Sequence, residues 1–285
     1  MAKPSINDLQ KMKDNGEKIS MITAYDYGMM TQVDQADIEI VLVGDSAAMV
    51  MLGYEDTRPI GMDEMVLFSK AVTRAAQETF IVGDLPFMSY EVDAQEAARN
   101  AGRLMKEGLV DAVKLEGGQE VTESVSAIVN AGIPVMGHIG LTPQKIAMLG
   151  GFKVQGKNTE MAMELVKDAK ALEEAGAFAI ILEAIPASLA KIVTERVNVP
   201  TIGIGAGPNC DGQVLVLHDM LTMFDKFVPK FVKQYADIGK EIRTALDEYS
   251  QEIKSGQFPE KEHSFSMKSE QVQELEKMLS EQLDE

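Results

Sequence analysis

The chain has 285 residues, a length that suits one large domain, and 45% of them are hydrophobic, which is enough for a sizeable core. Its formal net charge is −18, so nucleic acid and anionic membrane surfaces would repel it. No apolar run is long enough to cross a membrane, and no basic-then-apolar leader is visible. We therefore expect a soluble, cytoplasmic protein with no nucleic-acid or membrane partner.

The single cysteine, Cys210, excludes an internal disulfide and favours a reducing compartment. A nucleophilic thiol needs a base beside it, and the neighbouring sequence offers none. A structural thiol is the favoured interpretation of Cys210, and a nucleophile is the alternative.

Short apolar runs recur along the chain without polar alternation, which is typical of strands buried on both faces. Segments of helical periodicity lie between them, and Gly108, Gly132 and Gly176 follow three of these segments, where a left-handed C-cap is expected. The predicted strands are Ser20–Asp26, Glu39–Asp45, Thr79–Asp84, Ala112–Glu116, Pro134–His138, Ala177–Glu183 and Thr201–Gly205. The predicted helices are Asp63–Gln77, Asp93–Glu107, Glu120–Ala131, Thr159–Ala175 and Ala187–Val197.

This alternation predicts an α/β fold with a parallel sheet, and seven clear strands favour a closed (β/α)8 TIM barrel. An open, doubly wound sheet is the alternative. The eighth strand is expected within Gln213–Val232. We assign residues 1–265 to a single barrel domain and 266–285 to an acidic helical or flexible tail, which is either a solvated helix or a partner-binding one. Apolar residues recur in the tail at helical spacing: Val272, Leu275, Leu279 and Leu283.

Ionisable residues close six of the predicted strands. The carboxyl ends of parallel barrel strands meet on one face, where active sites form. One carboxylate at a strand end can equally cap the following helix, but six such residues in succession predict a cluster over the barrel mouth. They are Asp26, Asp45, Asp84, Glu116, His138 and Glu183.

Carboxylates that converge repel each other unless a cation lies among them, and oxygen ligands favour Mg²⁺ or Mn²⁺ over zinc. We predict that Asp45, Asp84 and Glu116 bind this metal directly or through water. The alternative is that one or two of them only accept backbone hydrogen bonds. Lys114 lies two residues before Glu116 on one strand, so both face the same side. It would hold a substrate carboxylate or form a structural ion pair.

Glu183 ends a strongly apolar run, and a dry setting makes a carboxylate a better base near neutral pH. We predict that it removes a proton next to a ketone; the alternative is a purely supporting carboxylate. His138 is predicted to bind substrate or orient a carboxylate, with a structural histidine as the alternative. His218 and His263 receive no role.

Two glycine-containing turns are candidate anion sites. The turn Gly44-Asp45-Ser46 can present a hydroxyl and backbone N–H groups. Gly203–Gly207 follows the seventh strand, where barrels often bind phosphate, although close backbone approach to any ligand explains these glycines equally well.

Nine segments together resemble the ketopantoate hydroxymethyltransferase family, from about residue 20 to residue 265. The segments are TAYDY at Thr23–Tyr27, VGDS at Val43–Ser46, DLPFMSY at Asp84–Tyr90, VKLEGG at Val113–Gly118, GHIGLTPQ at Gly137–Gln144, GGFKVQG at Gly150–Gly156, IGIGAG at Ile202–Gly207, DGQVLVLHD at Asp211–Asp219 and EHSF at Glu262–Phe265. The resemblance implies a barrel of the phosphoenolpyruvate/pyruvate type, a Mg²⁺ ion, and a homo-oligomer that is a decamer of two pentamers.

The resemblance also implies roles for single residues. Asp45, Asp84 and Glu116 fall on the family's metal positions. Asp45, Ser46, Asp84 and Lys114 match its substrate contacts, and Glu183 matches its catalytic base. The implied reaction transfers a hydroxymethyl group from 5,10-methylenetetrahydrofolate to 3-methyl-2-oxobutanoate, giving 2-dehydropantoate for pantothenate synthesis. Its expected course is proton removal by Glu183, attack of the Mg-stabilised enolate on the one-carbon unit, and then hydrolysis.

Two segments depart from the family pattern. Ala47-Ala48 stand where Leu-Gly is usual, and Arg58 replaces the leucine of a Thr-Leu-Pro segment. Both changes lie beside the expected mouth and affect loop packing or substrate fit more than reaction class. Two rival functions stay open: a lyase or mutase that cleaves an oxo acid, and a catalytically silent barrel that binds a phosphorylated ligand through Gly203–Gly207. Repulsion between phosphate and the carboxylates disfavours the second.

Overall fold

The computed structural model describes residues 3–224 and 226–283. Within them, eight parallel strands close into a barrel in which each strand pairs with its neighbours in chain order and the last pairs with the first. The predicted TIM barrel is therefore confirmed, and the open sheet is excluded. The strands are β1 (Ile19–Thr23), β2 (Ile40–Val43), β3 (Phe80–Asp84), β4 (Ala112–Glu116), β5 (Val135–Gly140), β6 (Ala179–Glu183), β7 (Thr201–Ile204) and β8 (Gly212–Leu215).

The chain divides into two compact units, Met1–Ala236 and Asp237–Glu285. The first unit holds the barrel, and every helix predicted from periodicity is present in it. The helices of this unit are α1 (Ile6–Asn15), α2 (Tyr27–Asp34), α3 (Ala47–Val50), α4 (Met62–Thr73), α5 (Ala94–Arg103), α6 (Thr122–Asn130), α7 (Ile146–Leu149), α8 (Thr159–Glu174), α9 (Ala187–Thr194) and α10 (Leu217–Met220).

The second unit contains α11 (Ile238–Ser255) and α12 (Ser269–Leu283). The barrel unit ends at Ala236, whereas the sequence placed the domain boundary at residue 265. The apolar residues predicted to recur along the tail lie in α12, where Val272, Leu275 and Leu279 are exposed. Among the helices of the described residues, none is long and apolar enough to cross a membrane.

Alternate side chains of each strand face the helices and the barrel interior. On β4, Val113 and Leu115 belong to the core between sheet and helices, while Ala112 belongs to the cluster inside the barrel. Lys114 and Glu116 therefore face inwards on the same side, as the spacing predicted.

Two details differ from the sequence prediction. The eighth strand begins at Gly212, one residue before the predicted segment. The backbone of Gly212 lies so close to Ile19 that a side chain would not fit, so this position requires glycine. The left-handed residue after α5 is Leu109, with φ 59°, rather than Gly108. A Cβ on Gly108 would lie 2.9 Å from Cβ of Ser69, so this glycine allows close packing on α4 instead.

Helix α1 covers the amino ends of the strands. A capping box between Ser5 and Asp8 begins the helix, and Leu9 is its one buried side chain. Leu9 packs with Ile19 and Ile40, the first residues of β1 and β2, in the cluster that fills the lower barrel. The amino end is thus a closed core, which leaves the carboxyl end for the site.

We predict that Leu9→Ala lowers the free energy of unfolding by about 2–5 kcal/mol, because it leaves a cavity among buried side chains. Ile6→Ala on the same helix is the matched control, since Ile6 is 37% exposed, and should change it by roughly 0.5 kcal/mol or less. Urea denaturation followed by circular dichroism measures both. Equal losses would show that α1 does not seal the barrel through Leu9.

Candidate active site

The carboxyl ends of the strands open into a cavity of about 820 Å³. Strand register brings polar residues together there, because Asp84 pairs with Lys114 and Glu116 pairs with His138 on neighbouring strands. Every site residue named from the sequence lines this cavity: Asp45, Ser46, Asp84, Lys114, Glu116, His138 and Glu183.

Asp26, the first of the six strand-end residues, does not join the cluster. Its carboxylate accepts a hydrogen bond of 2.9 Å from the Met29 N–H and caps α2. Six ionisable strand ends were expected to converge, and five do. Helix capping, the alternative for any single carboxylate, applies here.

The ammonium group of Lys114 lies between two buried carboxylates. Its Nζ is 2.8 Å from Asp84 Oδ2 and 3.0 Å from Glu116 Oε1. Burial by itself would lower the pKa of Lys114, but the charges of Asp84, Glu116 and Asp45 outweigh it and raise this pKa. Burial would likewise raise the pKa of Glu116, yet Lys114 and His138 hold it below its ordinary value. This lysine stays charged at the centre of the cluster.

Asp45 and Asp84 carry more negative charge than the protein neutralises. Burial, and then mutual repulsion, raises the pKa of Asp45; burial also raises that of Asp84. Asp84 Oδ1 is buried and has no hydrogen-bond partner among the residues that the structure describes. An unpaired carboxylate oxygen is costly away from water unless a cation or donor meets it.

Gln144 ties the acidic residues together, and sequence reasoning gave it no role. Its side-chain amide donates to Asp45 Oδ2 (2.9 Å), and its backbone N–H donates to Glu116 Oε2 (3.1 Å). Its carbonyl oxygen accepts a 2.6 Å hydrogen bond from the Tyr90 hydroxyl. Only its place in the GHIGLTPQ segment marked Gln144 in the sequence, since glutamine in a loop has no chemical signature of its own.

His138 lies between Glu116 and Glu183. Its Nδ1 is 3.3 Å from Glu116 Oε1, and its Nε2 is 3.2 Å from Glu183 Oε2, although neither contact has hydrogen-bond alignment. Burial and Lys114 lower the pKa of His138, but the two carboxylates outweigh them and raise it to about 9. A protonated imidazole therefore links the two carboxylates.

The backbone around Glu183 is tightly fixed. Its carbonyl accepts a hydrogen bond from the Leu141 N–H (2.9 Å), and Ala184, which follows it, is left-handed with φ 47°. Gly140 has φ 99°, and a Cβ there would lie 2.2 Å from the Glu183 carbonyl oxygen. Only glycine allows β5 to approach Glu183 this closely.

The two candidate anion turns have local partners. In the first, the Asp45 N–H donates to Asp84 Oδ2 (3.2 Å), and the Ser46 hydroxyl lies 2.8 Å from the Tyr25 hydroxyl. In the second, a Cβ on Gly205 would meet the Phe231 ring at 2.6 Å. Packing of the backbone against the Phe231 ring therefore requires glycine at position 205.

The departures from the family pattern lie beside this cavity. Ala47 and Ala48 are fully buried in α3. Arg58 is exposed and pairs with Asp56 at 2.6 Å, so it points away from the chemistry. Its neighbour Thr57 lines the cavity, and the Thr57 hydroxyl is buried without a hydrogen-bond partner.

Aromatic side chains form another part of the cavity lining. Phe152 and Phe227 stack with ring centroids 6.4 Å apart and an interplanar angle of 24°. Phe224 and Phe231 add further rings, and Asp219 contributes the one carboxylate on the β8 side of the cavity lining. The cavity therefore has a charged floor and an apolar wall.

Within the described residues, one group of three ionisable side chains places its ligand atoms within 4.8 Å of one another. It consists of Glu260, Glu262 and His263, all exposed in the second unit. The acidic residues of the cavity are spaced more widely, since Lys114 lies between Asp84 and Glu116.

Comparisons of sequence identify the family. A family model described as ketopantoate hydroxymethyltransferase matches residues 3–261. The chain belongs to this family. It is 56% identical over 267 residues to the 3-methyl-2-oxobutanoate hydroxymethyltransferase of Clostridium kluyveri, covering 94% of this chain and 95% of that one. It is 53% identical to the Carboxydothermus hydrogenoformans enzyme of the same name, covering 96% and 100%. The chain is therefore a transferase enzyme.

Comparisons of structure agree on the fold. A phosphonopyruvate hydrolase solved with oxalate and Mg²⁺ superposes with a TM-score of 0.60 at 14% identity, covering 98% of both chains. A 2,3-dimethylmalate lyase, described as a member of the PEP mutase/isocitrate lyase superfamily, superposes with a TM-score of 0.58 at 15% identity and the same coverage. These structures support the TIM-barrel fold of this chain.

We predict that Gly140→Ala lowers transferase turnover about 100-fold, because displacing the Glu183 backbone by about an ångström misplaces its carboxylate. Gly132→Ala is the matched control: Gly132 also has positive φ, 83°, but nothing lies within 4 Å of an added Cβ. Steady-state kinetics on both variants measures the difference. Equal turnover in the two would remove Gly140 from the positioning of Glu183.

We predict that Lys114→Met lowers the free energy of unfolding by about 3 kcal/mol or more at pH 8 without added metal, because it leaves two buried carboxylates without their positively charged partner. Without the lysine, burial raises the folded pKa values of Asp84 and Glu116 above their unfolded values. The folded state then binds protons more tightly, so stability falls as pH rises through these values and recovers as pH falls.

Urea midpoints measured from pH 5 to pH 8 test this dependence. Lys145→Met is the control, since Lys145 pairs with Glu120, whose side chain is 57% exposed, and such pairs contribute about 1 kcal/mol or less. A Lys114→Met deficit that does not shrink towards pH 5 would contradict the electrostatic explanation.

Proposed function

We propose that this enzyme transfers a hydroxymethyl group from 5,10-methylenetetrahydrofolate to 3-methyl-2-oxobutanoate, giving 2-dehydropantoate for pantothenate synthesis. Family membership supports the substrate pair. The observation that carries the chemistry is the convergence of Asp45, Asp84, Lys114 and Glu116 beside Glu183 in one cavity. Such an arrangement suits removal of a proton next to a ketone, followed by formation of a carbon–carbon bond.

The acidic residues fit a Mg²⁺ ion. Asp84 Oδ1 is buried without a partner, and Asp45 has one oxygen outside its hydrogen bond to Gln144. We propose that Asp45 and Asp84 bind the ion directly, and that Glu116 binds through water, because both its oxygens already accept hydrogen bonds. Mg²⁺ would supply positive charge at the ketone oxygen, which makes the neighbouring C–H more acidic.

The oxo acid would lie on the floor of the cavity. Lys114 and the Ser46 hydroxyl are positioned to hold its carboxylate, and Asp45 and Asp84 face the same region. His138 lines the same region, and because its two ring nitrogens face Glu116 and Glu183, its proposed part is to orient these carboxylates around the substrate. These groups would fix the substrate with C3 directed at Glu183.

Glu183 is the proposed catalytic base. Its side chain is 14% exposed and follows an apolar strand, so little water competes for its carboxylate. Protonated His138 lies 3.2 Å from it and orients it towards the cavity. After taking the C3 proton, Glu183 can return a proton to the new hydroxyl group.

The remaining space suits a larger second substrate. A small oxo acid fills only part of about 820 Å³, a volume that matches the pockets of larger ligands. The stacked Phe152 and Phe227 rings suit a flat heteroaromatic ring, and Lys153 and Lys230 on the same lining suit carboxylates. These features support a folate donor.

We propose that the enzyme works in the cytoplasm as a homo-oligomer, a decamer of two pentamers. The buried, unpaired Cys210 supports a reducing compartment, and family resemblance supports the assembly. Analytical ultracentrifugation of the full chain tests the oligomeric state.

We predict that Glu183→Gln abolishes exchange of the C3 hydrogen of 3-methyl-2-oxobutanoate with solvent deuterium, lowering its rate at least about 100-fold. Proton NMR in deuterium oxide with Mg²⁺ measures the exchange, and Glu164→Gln, on the exposed face of α8, is the control. Wild-type exchange in Glu183→Gln would refute its role as the base. Product analysis with and without methylenetetrahydrofolate separates the transferase from a lyase or mutase, since only the transferase requires the donor.

A further inference from the structure

Asp219 is a buried carboxylate in the cavity to which the proposed mechanism gives no task. It lies in α10, directly after β8, and is 7% exposed. The acidic cluster and Glu183 come from β2 to β6, whereas β8 pairs with β7 and β1. Asp219 therefore enters the cavity from the opposite side of the barrel.

The surroundings of Asp219 are unusual for a buried carboxylate. Asp45, Asp84 and Glu116 each accept hydrogen bonds, but the Asp219 carboxylate has no hydrogen bond or ion pair within residues 3–224 and 226–283. Burial raises the pKa of Asp219 to about 6. The nearby titratable group is Tyr25, which stays neutral because burial raises its pKa. A carboxylate that is largely buried, that has no partner among the described residues and that lines a ligand cavity suits proton transfer better than structural support.

The chemistry of the proposed reaction supplies a need for such a group. C3 of 3-methyl-2-oxobutanoate carries one hydrogen, so C3 becomes quaternary once the new carbon–carbon bond forms. Suppose that the folate nitrogen were still bonded to the transferred carbon at that point. It could not leave by elimination, because C3 has no hydrogen left to lose, and the crowded quaternary C3 would block the attack of water on the transferred carbon. Water must therefore reach the one-carbon unit before the carbon–carbon bond forms. This reverses the order that the sequence suggested.

Resting on the proposed function, we propose that Asp219 is a second acid–base group that activates water to release the one-carbon unit as formaldehyde inside the cavity. The donor's methylene group bridges two nitrogens. Water forms a C–O bond to it, both C–N bonds break, and Asp219 carries the two protons of water to the two nitrogens. C3, deprotonated by Glu183, then adds to formaldehyde, and the proton held by Glu183 completes the hydroxyl group. No oxidant or reductant is required.

Three rates measured on Asp219→Asn test this assignment: C3 deuterium exchange, turnover with methylenetetrahydrofolate, and turnover with free formaldehyde. We expect donor-dependent turnover to fall about 100-fold or more, since a general acid–base group is lost. Exchange should fall less than about threefold, because Glu183 and its surroundings are intact. With free formaldehyde as the one-carbon source, Asp219→Asn should turn over at nearly the rate that the wild-type enzyme reaches with free formaldehyde.

Asp26→Asn is the matched control, because Asp26 is a strand-end carboxylate that caps α2 outside the cavity and asparagine caps equally well. All three of its rates should stay at wild-type values. The unfolding midpoint of Asp219→Asn checks the fold, and a folded variant is expected, since no hydrogen bond to the carboxylate is lost.

The outcomes are distinct. Unchanged donor-dependent turnover in Asp219→Asn, or an equal loss of exchange and turnover, would overturn the role of Asp219. Failure of formaldehyde to restore turnover would overturn the proposed order of steps. Absence of C3 exchange in the wild-type enzyme would instead refute the proposed function itself.

Discussion

The site depends on one buried ammonium group. Lys114 lies within 3.0 Å of Asp84 and Glu116, inside a barrel that also encloses an apolar cluster. Two carboxylates taken out of water repel each other strongly, and one lysine offsets only part of that repulsion. Asp45 and Asp84 remain under-neutralised, and this excess negative charge is the feature that supports the proposed divalent cation.

The rest of the cavity is arranged around this charged floor. Gln144 binds Asp45 and Glu116 at once, so it fixes the spacing of the acidic residues. His138 connects Glu116 to Glu183, and Gly140 lets β5 pack directly on the Glu183 backbone. The stacked Phe152 and Phe227 rings line the same cavity and form the surface on which we propose that the second substrate binds. In the proposed reaction, the acidic side of this cavity serves the removal of the C3 proton and the aromatic side chains serve the one-carbon donor.

Most of the fold could be predicted from the sequence because parallel strands buried on both faces have a distinct composition. β8 was the exception: it has four residues, begins with Gly212, and exposes Gln213, so its pattern is too short and too polar to recognise. The family segments marked the site residues, and strand spacing alone placed Lys114 and Glu116 on one side. The prediction that Asp26 joins the cluster was wrong, because a strand-end aspartate that caps a helix has the same sequence pattern as one that faces a site.

The sequence by itself determined the alternation of strands and helices, the position of Lys114 and Glu116 on the same side of one strand, and the set of acidic residues at the strand ends, because these follow from periodicity. Only the tertiary structure decided that Gln144 bridges two acidic residues 99 and 28 positions away. It also decided that one oxygen of Asp84 and the carboxylate of Asp219 have no partner among the described residues. Those features depend on distances across the closed barrel, and side-chain contacts between strands far apart in the chain leave no local pattern in the sequence.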